Sequence, residues 1–341
     1  MNRVLEQFRV TNFLVSSVLL LTCFSISARE LPSSTAVPFE QGDIFVAATV
    51  MDDPDDDHAG TGRILQYDAD LQLKGTLWVQ GTRHKIGGLI FDADGTLWGF
   101  AQLTPAILQF TPDAKQLPVR KWSDRSFSSV TFAPDGTLYF GEHLAGSSTS
   151  AGPNLSTTFS LLPDRDVVGD GWVFHYNRAG KELGHFETDF HPVPPFLAVT
   201  STVLADDGKR MIYVSENGNR IMQYDLVNDK QLPDLAVFGP DSGVPMVLVM
   251  AAFPDGRLLI STNLGFIIVD QNSGEVLENR SLGGMGWAAI APAVDNEHVI
   301  VGNFFDGEII KYRLSDGEIV TRNNIGQKFS LSGIAQYPGI Q

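Results

Sequence analysis

Residues 200–226 read TSTVLADDGKRMIYVSENGNRIMQYDL. Two apolar runs flank an Asp-Gly pair, a polar stretch follows, and a third run ends at Tyr224. Short runs rich in β-branched and aromatic residues predict strands, and Asp-Gly between two of them predicts a hairpin. The same order of features occurs at 87–100 (GGLIFDADGTLWGF), 128–141 (SSVTFAPDGTLYFG) and 249–262 (VMAAFPDGRLLIST). A degenerate copy stands at 287–302 (WAAIAPAVDNEHVIVG). A third strand follows each hairpin (107–113, 173–180, 221–227, 266–272 and 309–317), and then a weaker fourth.

The turns begin at Asp94, Asp135, Asp207 and Asp255, with Asp295 as the fifth equivalent, at spacings of 41, 72, 48 and 40 residues. The one long spacing coincides with a Ser/Thr/Gly/Pro-rich stretch at 144–170, read as an insertion into a single repeat. A period in the forties with four short strands per unit predicts a β-propeller. After residue 41 no sustained 3.6-residue apolar period occurs, so the fold class is all-β with little helix.

The two ends set the number of blades. The repeat region opens in mid-unit, with 42–50 as a second strand and 62–70 as a third, and finishes with a lone first strand at 331–339. That last strand can complete the first blade and leave no open edge, which makes six blades over 42–341. A β-sandwich of similar composition does not predict complementary half-repeats.

Ahead of the repeats, Arg3 and Arg9 precede an apolar run at 13–26, followed by Ser27 and Ala28. This is the layout of a signal peptide over 1–28, with 29–41 as a linker. Secretion or periplasmic export is expected, with an uncleaved N-terminal anchor as the alternative and no stable membrane span once the leader is removed. Cys23, a poor match to an acylation site, is the only cysteine, so cleavage near Ala28 leaves no thiol for disulfides, zinc or nucleophilic catalysis.

The chain has 341 residues and a net charge of −16, which argues against a nucleic-acid partner. No phosphate-cradling Gly-rich loop, nucleophile elbow or zinc-binding helix motif is present. No nicotinamide, flavin or nucleotide cofactor is therefore expected.

Counting strand reversals puts the Asp-Gly turns on one face and the loops after the second strands on the other. Two of those loops are long, 51–62 and 143–170, which makes that face the expected binding face. It collects Gln102, Glu142, His143, Glu216, Asn217, Asn263, Asn303 and Asp306, with His84 and Lys85 on the approach to the second blade and His191 on that to the fourth. Glu142, His143 and Glu216 are the candidate catalytic residues, because a Glu or His at a strand end can act as general base. Glu142, Glu216 and Asn217 are candidate ligands for Ca²⁺ or Mg²⁺, hard cations that prefer oxygen. Gln102, His84, Asn263, Asn303 and Trp287 are candidate substrate contacts. Asn and Glu after a strand also commonly cap turns, and the acid run of Asp52, Asp53 and 55–57 lacks the spacing of an EF-hand.

The stretch 200–226 resembles the blade signature of the gluconolactonase/regucalcin-like superfamily: Asn-Gly-Leu, a Ser-Pro-Asp-Gly turn, a Leu-Tyr-Val-Ala-Asp strand and Asn-Arg-Ile. The likeness covers about 300 residues as a scaffold shared with NHL-repeat and virginiamycin B lyase-like propellers. It implies a site at one channel mouth and a metal-dependent hydrolase or lyase acting on a lactone or ester. The metal positions of that pattern are occupied here by Gly87, Ser128, Thr200, Leu248, Gly286 and Ser332, none a good ligand. Glu216 stands where the signature has its strand-end Asp. The competing expectation is a non-catalytic module that binds a small molecule, glycan or protein at the same mouth.

Overall fold

The computed structural model describes residues 31–54, 56–82, 85–101, 105–142, 149–150, 156–157, 171–189, 199–205, 208–215 and 218–340. Residues 32–341 form one compact unit. It is a six-bladed β-propeller of four-stranded antiparallel blades, and one short 3₁₀ turn, Pro240–Ser242, is the only helix among the described residues.

Blade 1 runs, from axis to rim, Gly333–Gln336, Ile44–Asp53, Asp56–Tyr67 and Leu73–Trp78. Blade 3 is Phe127–Phe132, Leu138–Glu142, Val173–Tyr176 and Glu182–Phe186. Blade 5 is Met250–Ala252, Arg257–Ser261, Gly265–Asp270 and Val276–Ser281, and blade 6 is Trp287–Pro292, His298–Asn303, Glu308–Arg313 and Ile319–Asn324. Blade 2 has Ile86–Phe91, Leu97–Ala101 and Ala106–Phe110, its outer edge supplied by bridges to Gln116 and Arg120. In blade 4, Val199–Leu204, Arg210–Ser215 and Arg220–Asp225 are edged by Lys230–Gln231 and Ala236–Val237. The first strands touch in a closed circle, blade 1 to 2 and onward to 6, then back to blade 1.

The middle strands are buried on both faces, as in Leu97–Ala101 and Arg210–Ser215, so they read as continuous apolar runs. Alternate residues serve different neighbours. Met211 and Tyr213 pack toward blade 3, while Ile212 and Val214 pack toward blade 5. The core is accordingly divided into six clusters, one in each gap between blades. The outermost strands alternate half-buried and exposed residues, as Ile319–Asn324 does, because only one of their faces meets a neighbour.

Closure follows the register expected from the half-repeats: Ile44 pairs with Gln336, Phe45 with Ala335, Val46 with Ile334 and Ala47 with Gly333. Tyr337 and Gly42 exchange with Asp43 and Tyr337 through backbone bonds of 2.8 and 3.0 Å. Beside this seam, Phe39, Phe45, Phe91 and Tyr337 form a ring cluster with centroids 4.4–6.0 Å apart. Phe39 belongs to the stretch expected to be a linker. Residues 34–37 lie along the outer strand of blade 1, where Thr35 and Ala36 donate to the Thr76 carbonyl and Thr76 and Trp78 donate to the Thr35 and Ser34 hydroxyls. The polar centre of the seam is Asp43, buried, which accepts from Gln66 at 2.7 Å and from the Lys74 ammonium at 2.8 Å.

Phe45→Ala should cost about 3–5 kcal/mol, because it removes a fully buried ring and leaves a cavity; urea unfolding measures it. Burial pulls the Lys74 ammonium down, but its hydrogen bonds to Asp43 and Glu40 outweigh this and leave it above its ordinary 10.5. The Lys74 contribution is therefore complete below pH 10.5 and lost as pH rises through the higher folded value. Melting curves from pH 8 to about 11.5 should show wild type converging on Lys74→Met only at the alkaline end.

Candidate functional site

The hairpin turns of the first two strands share one geometry. The amide of Gly95, Gly136, Gly208 or Gly256 donates to the carbonyl three residues earlier, and each glycine has φ between +67° and +86°. A type I turn closed by a left-handed residue demands this. In the degenerate fifth copy Asn296 takes the place at φ +58°, as Asn tolerates best after Gly. Asp135, Asp255 and Asp295 brace their turns by accepting backbone amides. Asp135 accepts from the Thr137 amide and hydroxyl at 2.9 and 2.6 Å, which holds its carboxyl below the usual range. These residues serve the fold, and they occupy the face opposite the ends of the second strands.

Around the axis, the first strands of blades 3, 4 and 6 carry a bulge at Ser128, Thr200 and Ala288. The extra residue turns its side chain toward the next blade. Ser128 donates to the Val199 carbonyl, Thr200 to that of Leu248 at 2.5 Å, and Ser332 to that of Ile86 at 2.9 Å. In blade 2 the bulge holds Gly88 at φ +62°, where a Cβ would fall 2.1 Å from the Ser128 carbonyl oxygen. Ser128, Thr200 and Ser332, positions that the sequence comparison marked as poor ligands, are thus latches between blades.

Glu142 ends the second strand of blade 3 and is completely buried. One carboxylate oxygen accepts from Arg125 Nη1 at 2.9 Å and the other from the Gly171 amide at 2.9 Å. The Arg125 guanidinium lies 4.2 Å above the Phe174 ring. The Glu142 amide donates to the Trp172 carbonyl at 3.0 Å, so this residue ties the strand end to the chain where it returns from the insertion. An ion at Glu142 would have to displace Arg125. Among the described residues no three acidic, His or Cys side chains gather to hold a metal. His143, Glu216, Asn217, Gln102, His84 and His191 lie outside the described residues.

Asn263, Trp287 and Asn303 are brought together, as a brace. Asn263, at φ +65°, accepts the Gly286 amide on its side chain at 2.7 Å, and its carbonyl accepts from Gly286 and Trp287. Asn303 donates to the Met285 carbonyl at 2.9 Å and accepts the Phe305 amide at 2.8 Å. The Trp287 indole is buried and donates to the Gly283 carbonyl at 2.8 Å. Asn303 holds the 283–286 loop against the loop 303–307, Asn263 ties it to the loop of blade 5, and Trp287 closes it on Gly283, with both asparagines in their turn-capping use.

What this brace supports escaped the sequence reading. Phe304 and Phe305, on the loop after the second strand of blade 6, meet Phe329, on the approach to the closing strand. Centroids are 5.7–5.9 Å apart and all three rings are half-buried. Phe329 has φ +52°, a conformation that costs a bulky residue about 1–2 kcal/mol. Lys85, approaching blade 2, places its ammonium 4.3 Å from the Phe304 centroid, and Met285 beside them is 56% exposed. Two consecutive phenylalanines inside a polar turn, 303–306, were the available signal.

No family model matches this chain, and no curated protein matches it in sequence. Solved structures do match in fold. A chain of the nidogen/laminin complex is 11% identical over 86% of this chain and 97% of its own, with a TM-score of 0.57. A protein of unknown function from Bacteroides caccae is 12% identical over 86% and 98%, at 0.56. The WD40 β-propeller domain of Doa1 is 12% identical over 88% and 92%, at 0.52. These matches support the propeller fold, and none of them identifies the gluconolactonase-like superfamily.

Glu142→Ala should destabilise the protein by about 3 kcal/mol, since it leaves Arg125 and the Gly171 amide without their buried acceptor. Thermal denaturation reads the loss, and Arg125→Ala should reproduce most of it.

Proposed function

We propose that this chain is a binding propeller, which recognises a partner at the mouth opposite its Asp-Gly turns and does not transform it. One contrast at that mouth carries the reading. The described polar groups expected to do chemistry there, Glu142, Asn263 and Asn303, spend their side-chain atoms on Arg125 and backbone groups. The same loops bring apolar side chains to the surface, three half-buried phenyl rings and Met285, with Asp306 exposed beside them. Aromatic residues and methionine enriched at a polar rim are the composition of a recognition surface. The nidogen/laminin neighbour is a propeller crystallised in a protein complex, which supports the same use. The apolar run at 13–26 supports export of the protein to the periplasm or medium.

The finer expectation, a hydrolase or lyase acting on a lactone or ester and built on Glu142, His143 and Glu216 with Ca²⁺ or Mg²⁺, is tested on the same preparation. The purified protein should show no turnover across a lactone and ester panel, with either cation or with chelator. Turnover abolished by Glu216→Gln would overturn the recognition reading. Fractionation of expressing cells should place the protein outside the cytoplasm with residues 1–28 removed, as N-terminal sequencing reads directly.

A further inference from the structure

Arg63 is the third-strand residue of blade 1 that faces blade 6 at the loop end of the gap between them; Leu65 and Tyr67, on the same side of the strand, belong to the hydrophobic cluster filling that gap. Its guanidinium is half-buried, yet among the described residues no carboxylate pairs with it. The contact it makes is a 3.3 Å hydrogen bond from one terminal nitrogen to the Ile325 carbonyl, and its buried Nε has no acceptor. Burial pushes the group below its ordinary value, with Tyr67 as the opposing influence. Buried arginines are normally paired, because desolvating a guanidinium without an acceptor is costly. Other half-buried arginines have more acceptors: Arg125 meets Glu142, Arg220 meets Asp189 and Asp234, and Arg210 meets the neutral Gln223, Asn272 and the Gln271 carbonyl.

Ile325 begins the loop that carries Phe329 at its strained φ, and Phe329 packs on Phe304, over which Lys85 stands. Two cations therefore reach the loops that hold the apolar cluster, in a chain of net charge −16. The acid on the same loop, Asp306, is exposed and accepts the Glu308 amide at 2.9 Å; Asp52 and Asp53 end the second strand of blade 1.

We infer that this corner of the mouth is a binding site for an apolar carboxylate, with Arg63 and Lys85 taking the carboxylate and Phe304, Phe305 and Phe329 the hydrocarbon. Arg supplies a forked pair of donors suited to a carboxylate, and a partly desolvated ion pair beside aromatic rings is stronger than one in water. The inference rests on the recognition reading and names the chemistry of what is recognised.

The probes are 3-phenylpropanoate and its neutral amide, titrated calorimetrically into the full-length protein, with a Phe-terminated tetrapeptide bearing a free or amidated C terminus. The acid should bind at least tenfold more tightly than the amide, a preference worth about 1.4 kcal/mol. Arg63→Gln and Lys85→Gln should each reduce that preference severalfold, and Phe304→Ala should weaken acid and amide alike. The preference of the peptide with a free C terminus over 3-phenylpropanoate, or the reverse, assigns the carboxylate to a chain end or to a free acid. Arg63→Gln should melt at or above the wild-type temperature, because it removes an unpaired charge; a structural role through Ile325 would lower the melting point and leave the preference intact. Equal binding of acid and amide, no saturable binding of the acid at millimolar concentration, or an unchanged preference in the double variant overturns the site. Lactone turnover with the acid preference intact would overturn only the recognition reading and leave this site standing.

Discussion

A sheet that is apolar on both faces is stable in water only between two others, and every blade here is such a sheet. Met211 and Ile212, adjacent in one strand, are buried in different gaps, and the same division holds for Phe45 and Val46. Each blade therefore needs two neighbours, and a row of them ends only by closing. The pairing of Gly333–Gln336 with Ile44–Asp53 is that closure, and Asp43, Lys74 and the Phe39–Tyr337 ring cluster secure it. Outer strands escape the requirement and show it in their alternation.

Closure brings the first strands so near the axis that their bulged positions touch the next blade. Ser128, Thr200 and Ser332 satisfy carbonyls across that distance, and Gly88 provides room where no side chain fits. These three hydroxyls near the axis are thus committed to holding blades together, since a buried carbonyl without a donor costs more than a surface one. The same logic extends to the mouth. Glu142 secures the root of the insertion, and Asn263 and Asn303 secure the loops of blades 5 and 6. The loops that Asn263 and Asn303 secure bring half-buried phenyl rings to the surface.

Much of the architecture was legible because repetition averages out local ambiguity. Five copies of a strand, a turn and a strand identify hairpins that no single copy would, and the complementary half-repeats at the ends give the number of blades. The Asp-Gly turns announced their own role, down to Asn296 replacing Gly in the weakest copy. The candidate site was legible only as a face. Asn263, Asn303 and Glu142 stand where the strand count put them, but residue type alone does not separate an open ligand from a bonded brace.

What the sequence determined by itself is everything governed by short-range pattern: which segments are strands, where the chain reverses, how many units repeat, and which loops share a face. Those follow from side-chain alternation and turn chemistry acting over a few residues. The tertiary structure alone decided who meets whom across the ring. Glu142 finds Arg125 and Gly171, Phe304 finds Phe329 and Lys85, and Arg63 reaches Ile325 from 262 positions away without finding a carboxylate. Such meetings depend on the curvature that closes six blades into a circle, and no local pattern encodes the distance between two loops that only closure brings side by side.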